Sequence, residues 1–240
     1  MRKTNSIALS RALLKIDGRP VEVLMRLNPR ARRLSVKVHP STGEITVVAP
    51  SKRAMTHALD FARGESDWIA KKLARVPQPV AFDIGAAIPI RGQMMRIEAG
   101  ERGPAPVWIE GGVIRVSGRA EHAPRRIRDF LKREARQRLG ERTAHFSQFV
   151  TQKPKRIVIR DTASRWGSCS AARVLSYSWR LIFAPDDVLD YVVAHEVAHL
   201  VEMNHGARFW RLVGEMMPGY EPYQGWLSSH GTELHRYGAV

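Results

Sequence analysis

A single cysteine, Cys169, stands in a chain of 240 residues, so no intrachain disulfide can form. That suits a reducing compartment, and a chain of this length builds a core without a disulfide staple. No uncharged apolar run approaches the ~20 residues that span a bilayer. The opening stretch, MRKTNSIALSRALLKIDG, is interrupted by Arg11 and Lys15 and offers no clean secretory core. The expectation is a cytoplasmic protein with no membrane partner. No internal repeat or low-complexity segment is legible. Acidic residues are scarce as well. Against 39 Lys and Arg stand 23 Asp and Glu, a net charge of +16. The deficit is local: residues 1–155 carry 31 basic and 14 acidic residues, residues 156–240 carry 8 and 9. The basic first two thirds can attract a nucleotide or nucleic acid, although no nucleic-acid motif accompanies the charge, and a solvated basic face is the simpler reading.

Periodicity outlines the elements. RLSVKVHP and EITVVAP flank the turn residues of HPSTGE and predict a hairpin within a β region at 20–49. Residues 51–75 carry Ala58, Phe61, Ala62, Trp68, Ile69 and Leu73 at helical spacing, with a break at Gly64. VPQPV at 76–80 reads as a linker. Residues 87–118 predict further hairpins turning at Gly111-Gly112. A long basic helix follows at 122–150, with Ile127, Phe130, Leu131, Ala135 and Leu139 on its apolar side. RIVIRD at 156–161 is a strand, TASRWGSCSAAR a polar loop, and VLSYSWRLIFAP at 174–185 an alternating strand free to bind an extended peptide as a sheet edge. Asp186 and Asp187 then cap a helix. ARFWRLVGEMMPGY forms a shorter helix ended by Pro218-Gly219, and His230 and His235 lie in an exposed polar tail. The divisions expected are 1–80, 81–155 and 156–240, and the class is α+β.

The chemistry concentrates in YVVAHEVAHLVEMNHGARFW, residues 191–210. On a helix, His195 and His199 lie ~40° apart and one turn apart in height, so their imidazoles converge. Glu196 projects beside them. This is the H-E-x-x-H arrangement, in which two imidazoles hold Zn²⁺ and the carboxylate deprotonates a water. The surrounding helix is strongly apolar, and burying two histidines with a glutamate is costly unless they are paired or bound to metal. His205 cannot follow on an unbroken helix, which would set it ~280° around and ~15 Å along from His195. The chain must turn back, with the left-handed turn expected at Met203-Asn204. Glu202 stands where metzincins carry a glycine, so the full metzincin pattern is not met. Cys169 reads as a small buried residue and not as a ligand.

SRWGSCS, WRLIFAP, DYVVAHEVAHLVEMNH and RFW together resemble the YgjP-like metallopeptidase family, relatives of the SprT-like and WLM zincins. The likeness is specific from about residue 156 to 226, and the upstream hairpin and helix extend it over nearly the whole chain. Gly206-Ala207 departs from the family's usual pair after the third histidine. The resemblance implies a zincin-like core, a small sheet packed on the H-E-x-x-H helix, preceded by an N-terminal hairpin and helix region. It implies His195, His199 and His205 as zinc ligands, Glu196 as catalytic base, and Arg165 near the site, either as an oxyanion or substrate-anion donor or as a lock for its loop. The function expected is a zinc metallopeptidase acting on peptide or protein. Two alternatives share the same residues: a metal-dependent phosphohydrolase acting on nucleotides, and a nucleic-acid-associated protease.

Overall fold

The computed structural model describes residues 9–39, 42–101, 103–162 and 164–238. The chain divides into two compact units, Met1–Gln78 and Pro79–Val240. Each mixes small sheets with helices, so the class is α+β.

In the first unit, β1 (Leu9–Ile16) and β2 (Arg19–Leu27) form an antiparallel hairpin. Its turn, Asp17-Gly18, has φ of 47° and 76°, the left-handed pair that matches the twist of the flanking strands. The sequence reading begins its β region at residue 20 and lacks β1, although Asp-Gly is the turn signal that marks it. β3 (Ser35–Val38) and β4 (Ile45–Ala49) make the expected hairpin. Pro40 and Ser41 of its turn lie outside the described residues. β2 pairs in parallel with β4, giving the order β1-β2-β4-β3. The helical segment that follows is α1 (Lys52–Met55), α2 (Ala58–Gly64) and α3 (Ser66–Leu73). Ser51 caps α1 by accepting from the Ala54 amide at 3.1 Å. The break after Gly64 is the expected one, and a second falls at Thr56-His57. Leu14, Ile16, Val23, Ile45 and Val47 pack with Ala58, Ala62 and Ile69 into a core of their own.

The second unit opens with Val80, which bridges in parallel to Tyr237, so VPQPV crosses the unit boundary. β5 (Ala87–Ile90), β6 (Gln93–Gly100), β7 (Val107–Glu110) and β8 (Val113–Ser117) follow. The turn at Gly111-Gly112 is the expected one. The sheet order is β5-β6-β8-β7, with β6 parallel to β8 and the outer pairs antiparallel. Order and directions repeat those of the first sheet, and in each unit a helical segment follows the fourth strand. The chain therefore carries a structural repeat, contrary to the sequence reading. Hairpin and helix periodicities survive substitutions that erase residue identity.

The basic helix is α4 (Ala123–Phe146), with Ile127, Phe130, Leu131, Ala135 and Leu139 buried as expected. β9 (Arg156–Arg160), β10 (Gly167–Cys169) and β11 (Val174–Ser178) form a third sheet in the order β10-β11-β9. The stretch read as polar loop thus contains a strand. The stretch read as one strand over 174–185 is strand only to Ser178. Trp179–Phe183 is a 3-10 helix with all five residues buried. Trp179, Leu181 and Phe183 mimic a strand's alternation, but Arg180 and Ile182 are buried too, which a half-exposed strand does not allow. Arg180 donates to Asp161 at 2.8 Å and to the Tyr237 carbonyl at 2.6 Å, which makes its burial tolerable. β11 is also the central strand and not an edge; the edges are β9 and β10.

The chain ends in α5 (Asp186–Ala198), α6 (Ala207–Met216), α7 (Glu221–His230) and a 3-10 turn at Gly231–Arg236. α6 stops before Pro218-Gly219 as expected, whereas α7 is not foreseen. His230 is exposed. His235 is buried, not in an exposed tail, and its ring lies 4.8 Å from that of Trp166. No helix among the described residues is long and apolar enough to cross a membrane.

Trp179 is 1% exposed and meets Phe183 edge-on at 5.4 Å. Trp179→Ala is expected to cost about 3–5 kcal/mol, the range for emptying a large aromatic site. A urea titration followed by circular dichroism checks it, and a midpoint within error of wild type contradicts it.

Candidate metal centre

α5 is apolar around nearly its whole circumference, with Val188, Leu189, Val192, Val193, Val197 and Ala198 all buried, so its place is in the core. Its polar exceptions anchor it. Asp186 accepts from Arg91 Nε at 2.9 Å and lies 3.3 Å from Arg138 Nε. Asp190 accepts from Arg142 Nε at 2.6 Å. Burial alone would raise the Asp186 carboxyl, but the Arg91 hydrogen bond and the Arg138 charge hold it below its ordinary range. The expected aspartates thus occupy the first turn, where Asp186 meets arginines; no side-chain cap closes the helix, and the cap position is Pro185. Arg91 sits in a left-handed turn with Gly92 (φ 53° and 78°), and its amide donates to the Ile182 carbonyl at 2.7 Å.

The helix presents His195 and His199 as the sequence expects. It ends at Ala198, with His199 as its C-cap, and the Glu202 amide closes the turn on the Ala198 carbonyl at 2.9 Å. His205 returns to the same point from the loop before α6. His205 Nε2 is 3.0 Å from His195 Nε2 and 3.1 Å from His199 Nε2. The return does not use a left-handed asparagine: among the described non-glycine residues only Asp17, Arg91 and Arg173 have positive φ. Early termination of α5 provides the reversal, together with a tight turn from the Gly206 amide to the Asn204 carbonyl at 2.7 Å.

The aromatic residues behind the cluster hold it. Phe209, fully buried, has its ring 4.9, 4.5 and 4.7 Å from the rings of His195, His199 and His205. Trp210 stacks on His205 at 5.8 Å, Tyr220 stacks on Trp210 at 5.6 Å, and Tyr191 stacks on Tyr220 at 5.8 Å. The sequence gives Phe209 and Trp210 only as members of the RFW motif and does not assign them this bracing.

The protonation pattern suits a metal. His199 Nδ1 lies 2.9 Å from the Glu202 carbonyl, which can only accept, so the neutral ring carries its proton there and leaves the Nε2 lone pair free. Glu202 contributes this carbonyl; its carboxylate is not among the converging donors. Burial, then the neighbouring His199 and His205, depress His195 to about 4, and burial likewise lowers His199. Three imidazoles thus converge, with His195 and His199 both held toward the neutral, metal-binding form. A tetrahedral zinc site with bonds of ~2.0–2.1 Å spaces its nitrogens by about 3.3 Å, close to the two contacts that His205 makes, and all three donors lie within 4.8 Å of one another. The residues fit a divalent metal of the zinc type.

Glu196 is 6% exposed, and its Oε2 is buried without a hydrogen-bond partner. Burial raises its carboxyl to about 7, with Arg165 opposing. The room for it comes from Gly167 on β10: a Cβ there would stand 2.5 Å from both Cγ and Oε1 of Glu196. No sequence pattern within β10 announces that requirement, because the partner lies on α5. Arg165 is exposed and acts on Glu196 through its charge. Cys169 is half-buried, not fully buried, and lines the cleft of about 280 Å³ that also holds Ser168, Glu196 and the histidines. It is not among the converging donors. Burial pushes its thiol up to about 11. A smaller cavity of about 160 Å³ adjoins Glu196 and is lined by Trp166, Tyr191, Val192 and Leu227.

The two candidates for third ligand can be separated by substitution. His205→Ala is expected to weaken metal binding by more than about 100-fold, a loss beyond that of a supporting residue. Glu202→Ala keeps the backbone carbonyl and is expected to retain stoichiometric metal. Metal content after dialysis against a mild chelator checks both, and an empty Glu202→Ala beside a loaded His205→Ala reverses the assignment.

No curated protein matches the sequence. A chain from the crystal structure of the metallopeptidase zymogen of Pyrococcus abyssi abylysin is 23% identical over 45% of this chain and 96% of its own, with a TM-score of 0.31, too loose a superposition to assign a shared fold. The sequence matches the family described as YgjP-like, metallopeptidase domain, over residues 32–230. That span takes in all three histidines and Glu196 and covers most of the sequence, so the chain belongs to the YgjP-like metallopeptidase family.

Proposed function

We propose that the chain is a zinc-dependent peptidase with a zincin-like core, in which His195, His199 and His205 hold the metal and Glu196 is the general base. The observation that carries this reading is the convergence of three Nε2 atoms at 3.0–3.1 Å contacts beside a buried, unpartnered glutamate oxygen. When bound, the metal supplies Lewis acidity toward a carbonyl oxygen and acidifies a water. The remaining work belongs to the protein. Glu196 takes a proton from the attacking water at a carboxylate oxygen and delivers it to the leaving amine. Its apolar surroundings favour this exchange, because burial raises proton affinity toward neutrality. Gly167 keeps the carboxylate seated, and Arg165 donates to an oxygen of the substrate, carbonyl or carboxylate. β10, at an edge of its sheet, offers backbone groups for an extended peptide, the part the sequence reading gives to 174–185.

Two substitutions test the mechanism. Glu196→Gln keeps shape and removes the base, so turnover of a peptide substrate is expected to fall by about 10²–10⁴-fold with metal content unchanged. Near-wild-type turnover in the loaded variant removes Glu196 from the mechanism. Gly167→Ala drives a methyl into the Glu196 side chain and is expected to lower kcat by about 100-fold through misplacement, again with metal retained. Unchanged kcat in Gly167→Ala shows that the position of the carboxylate does not matter.

A further inference from the structure

A second set of clefts continues from the metal centre. Ser168 borders the cleft of the histidines and also a larger one of about 420 Å³, whose walls include Arg160, Thr162, Arg165 and Ser176. Arg160 in turn borders a third cleft, of about 280 Å³, with Lys132, Arg133 and Arg136 of α4. Ser168 thus links the metal centre to the larger cleft, and Arg160, on the edge strand β9, links that cleft around the sheet edge to the basic side of α4, where Ile159 of the opposite sheet face also lines the third cleft.

The strand registers explain the lining of the larger cleft. Ser168 pairs with Ser176, and Ser176 with Val158, so these residues share one face of the β10-β11-β9 sheet. Leu175 and Tyr177 take the opposite, buried face. The serine face carries hydroxyls and arginines where a core-covering face would be apolar. Lys132, Arg133, Arg136, Arg160 and Arg165 are all exposed, and among the described residues Arg133, Arg136 and Arg160 have no carboxylate partner. The carboxylate in the third cleft, Asp161, is already held by Arg180 at 2.8 Å. A run of like charges on a solvated helix is unremarkable by itself. Its continuity with a catalytic cleft, through residues that line both, is what calls for a ligand.

We propose that this groove binds acidic side chains of the polypeptide substrate, and so makes the enzyme selective for peptides with glutamate or aspartate flanking the scissile bond. The inference rests on the peptidase reading above and extends it to substrate class. Arginine forks and serine hydroxyls match carboxylates. A single-stranded nucleic acid is the less suitable occupant, because such sites stack bases on aromatic faces. The larger cleft has no aromatic wall, and Trp179 in the third is fully buried.

The test uses the full-length, metal-loaded Glu196→Gln protein, which binds substrate without consuming it. Its affinity is measured by fluorescence anisotropy for a labelled peptide containing a glutamate run, for the same peptide with glutamines, and for a single-stranded oligonucleotide of equal charge. The glutamate peptide is expected to bind about tenfold tighter than the glutamine peptide at low salt. That advantage is expected to vanish when Arg136→Gln and Arg160→Gln are added, while both substitutions, in a wild-type background, leave kcat on a neutral peptide unchanged. Equal affinity for the two peptides overturns the proposal. So does an advantage that survives the arginine substitutions, or an oligonucleotide that binds the groove more tightly than the glutamate peptide. If the glutamate peptide binds as expected but wild-type protein cuts neither peptide, the groove stands and the proposed chemistry falls.

Discussion

An α-helix can bring two side chains four residues apart to a common point, and no third residue further along the same helix can join them. Every feature of the centre answers that constraint. α5 stops at Ala198, one residue before its second histidine, so that the chain is free to reverse within six residues. α6 then places Phe209 against all three imidazoles and Trp210 against the returning one. The Glu202 carbonyl fixes the His199 tautomer from within the reversal itself. Loop, cap and following helix together close what the helix alone cannot.

His205 in contact with both His195 and His199, beside a buried carboxylate oxygen without a partner, is a costly arrangement, so the scaffold has to hold these groups there. It does so from the far end of α5, where Arg91, Arg138 and Arg142 meet Asp186 and Asp190. Arg91 comes from a left-handed hairpin turn and the other two from the long helix α4. Part of the basic composition that suggests an anionic partner is therefore structural. Arg133 and Arg136 of α4 and Arg160 of β9, which have no carboxylate partner among the described residues, lie away from that end of α5 and line the clefts that continue from the metal centre.

The repeated four-strand sheet has a different consequence. In both units two antiparallel hairpins join through a central parallel pair, and a helical segment follows. In the first unit that segment is three short helices around an independent core; in the second it is α4, which supplies the arginines that hold α5. One topology thus serves two packings, decided by the length and apolar stripe of the helix that follows it.

Much of the local order was determined by the amino-acid sequence alone, although β1, β10 and α7 were not read from it. Helical spacing delivered α4 and α5, turn residues delivered the hairpins, and the pairing of His195 with His199 beside Glu196 follows from ~100° per residue. The spacing of His205 demanded a reversal without saying how it is made. Tertiary structure decided what depends on partners distant along the chain. β11 became a central strand because β9 and β10 flank it, Trp179–Phe183 is a 3-10 helix buried on all sides although its apolar alternation mimics a strand, and His235 is buried against Trp166. Gly167 is needed because Glu196 occupies the space of its missing Cβ. Periodicity records which face of an element is apolar; it holds no record of which residue from elsewhere will press against that face, and that contact is settled only when the chain packs.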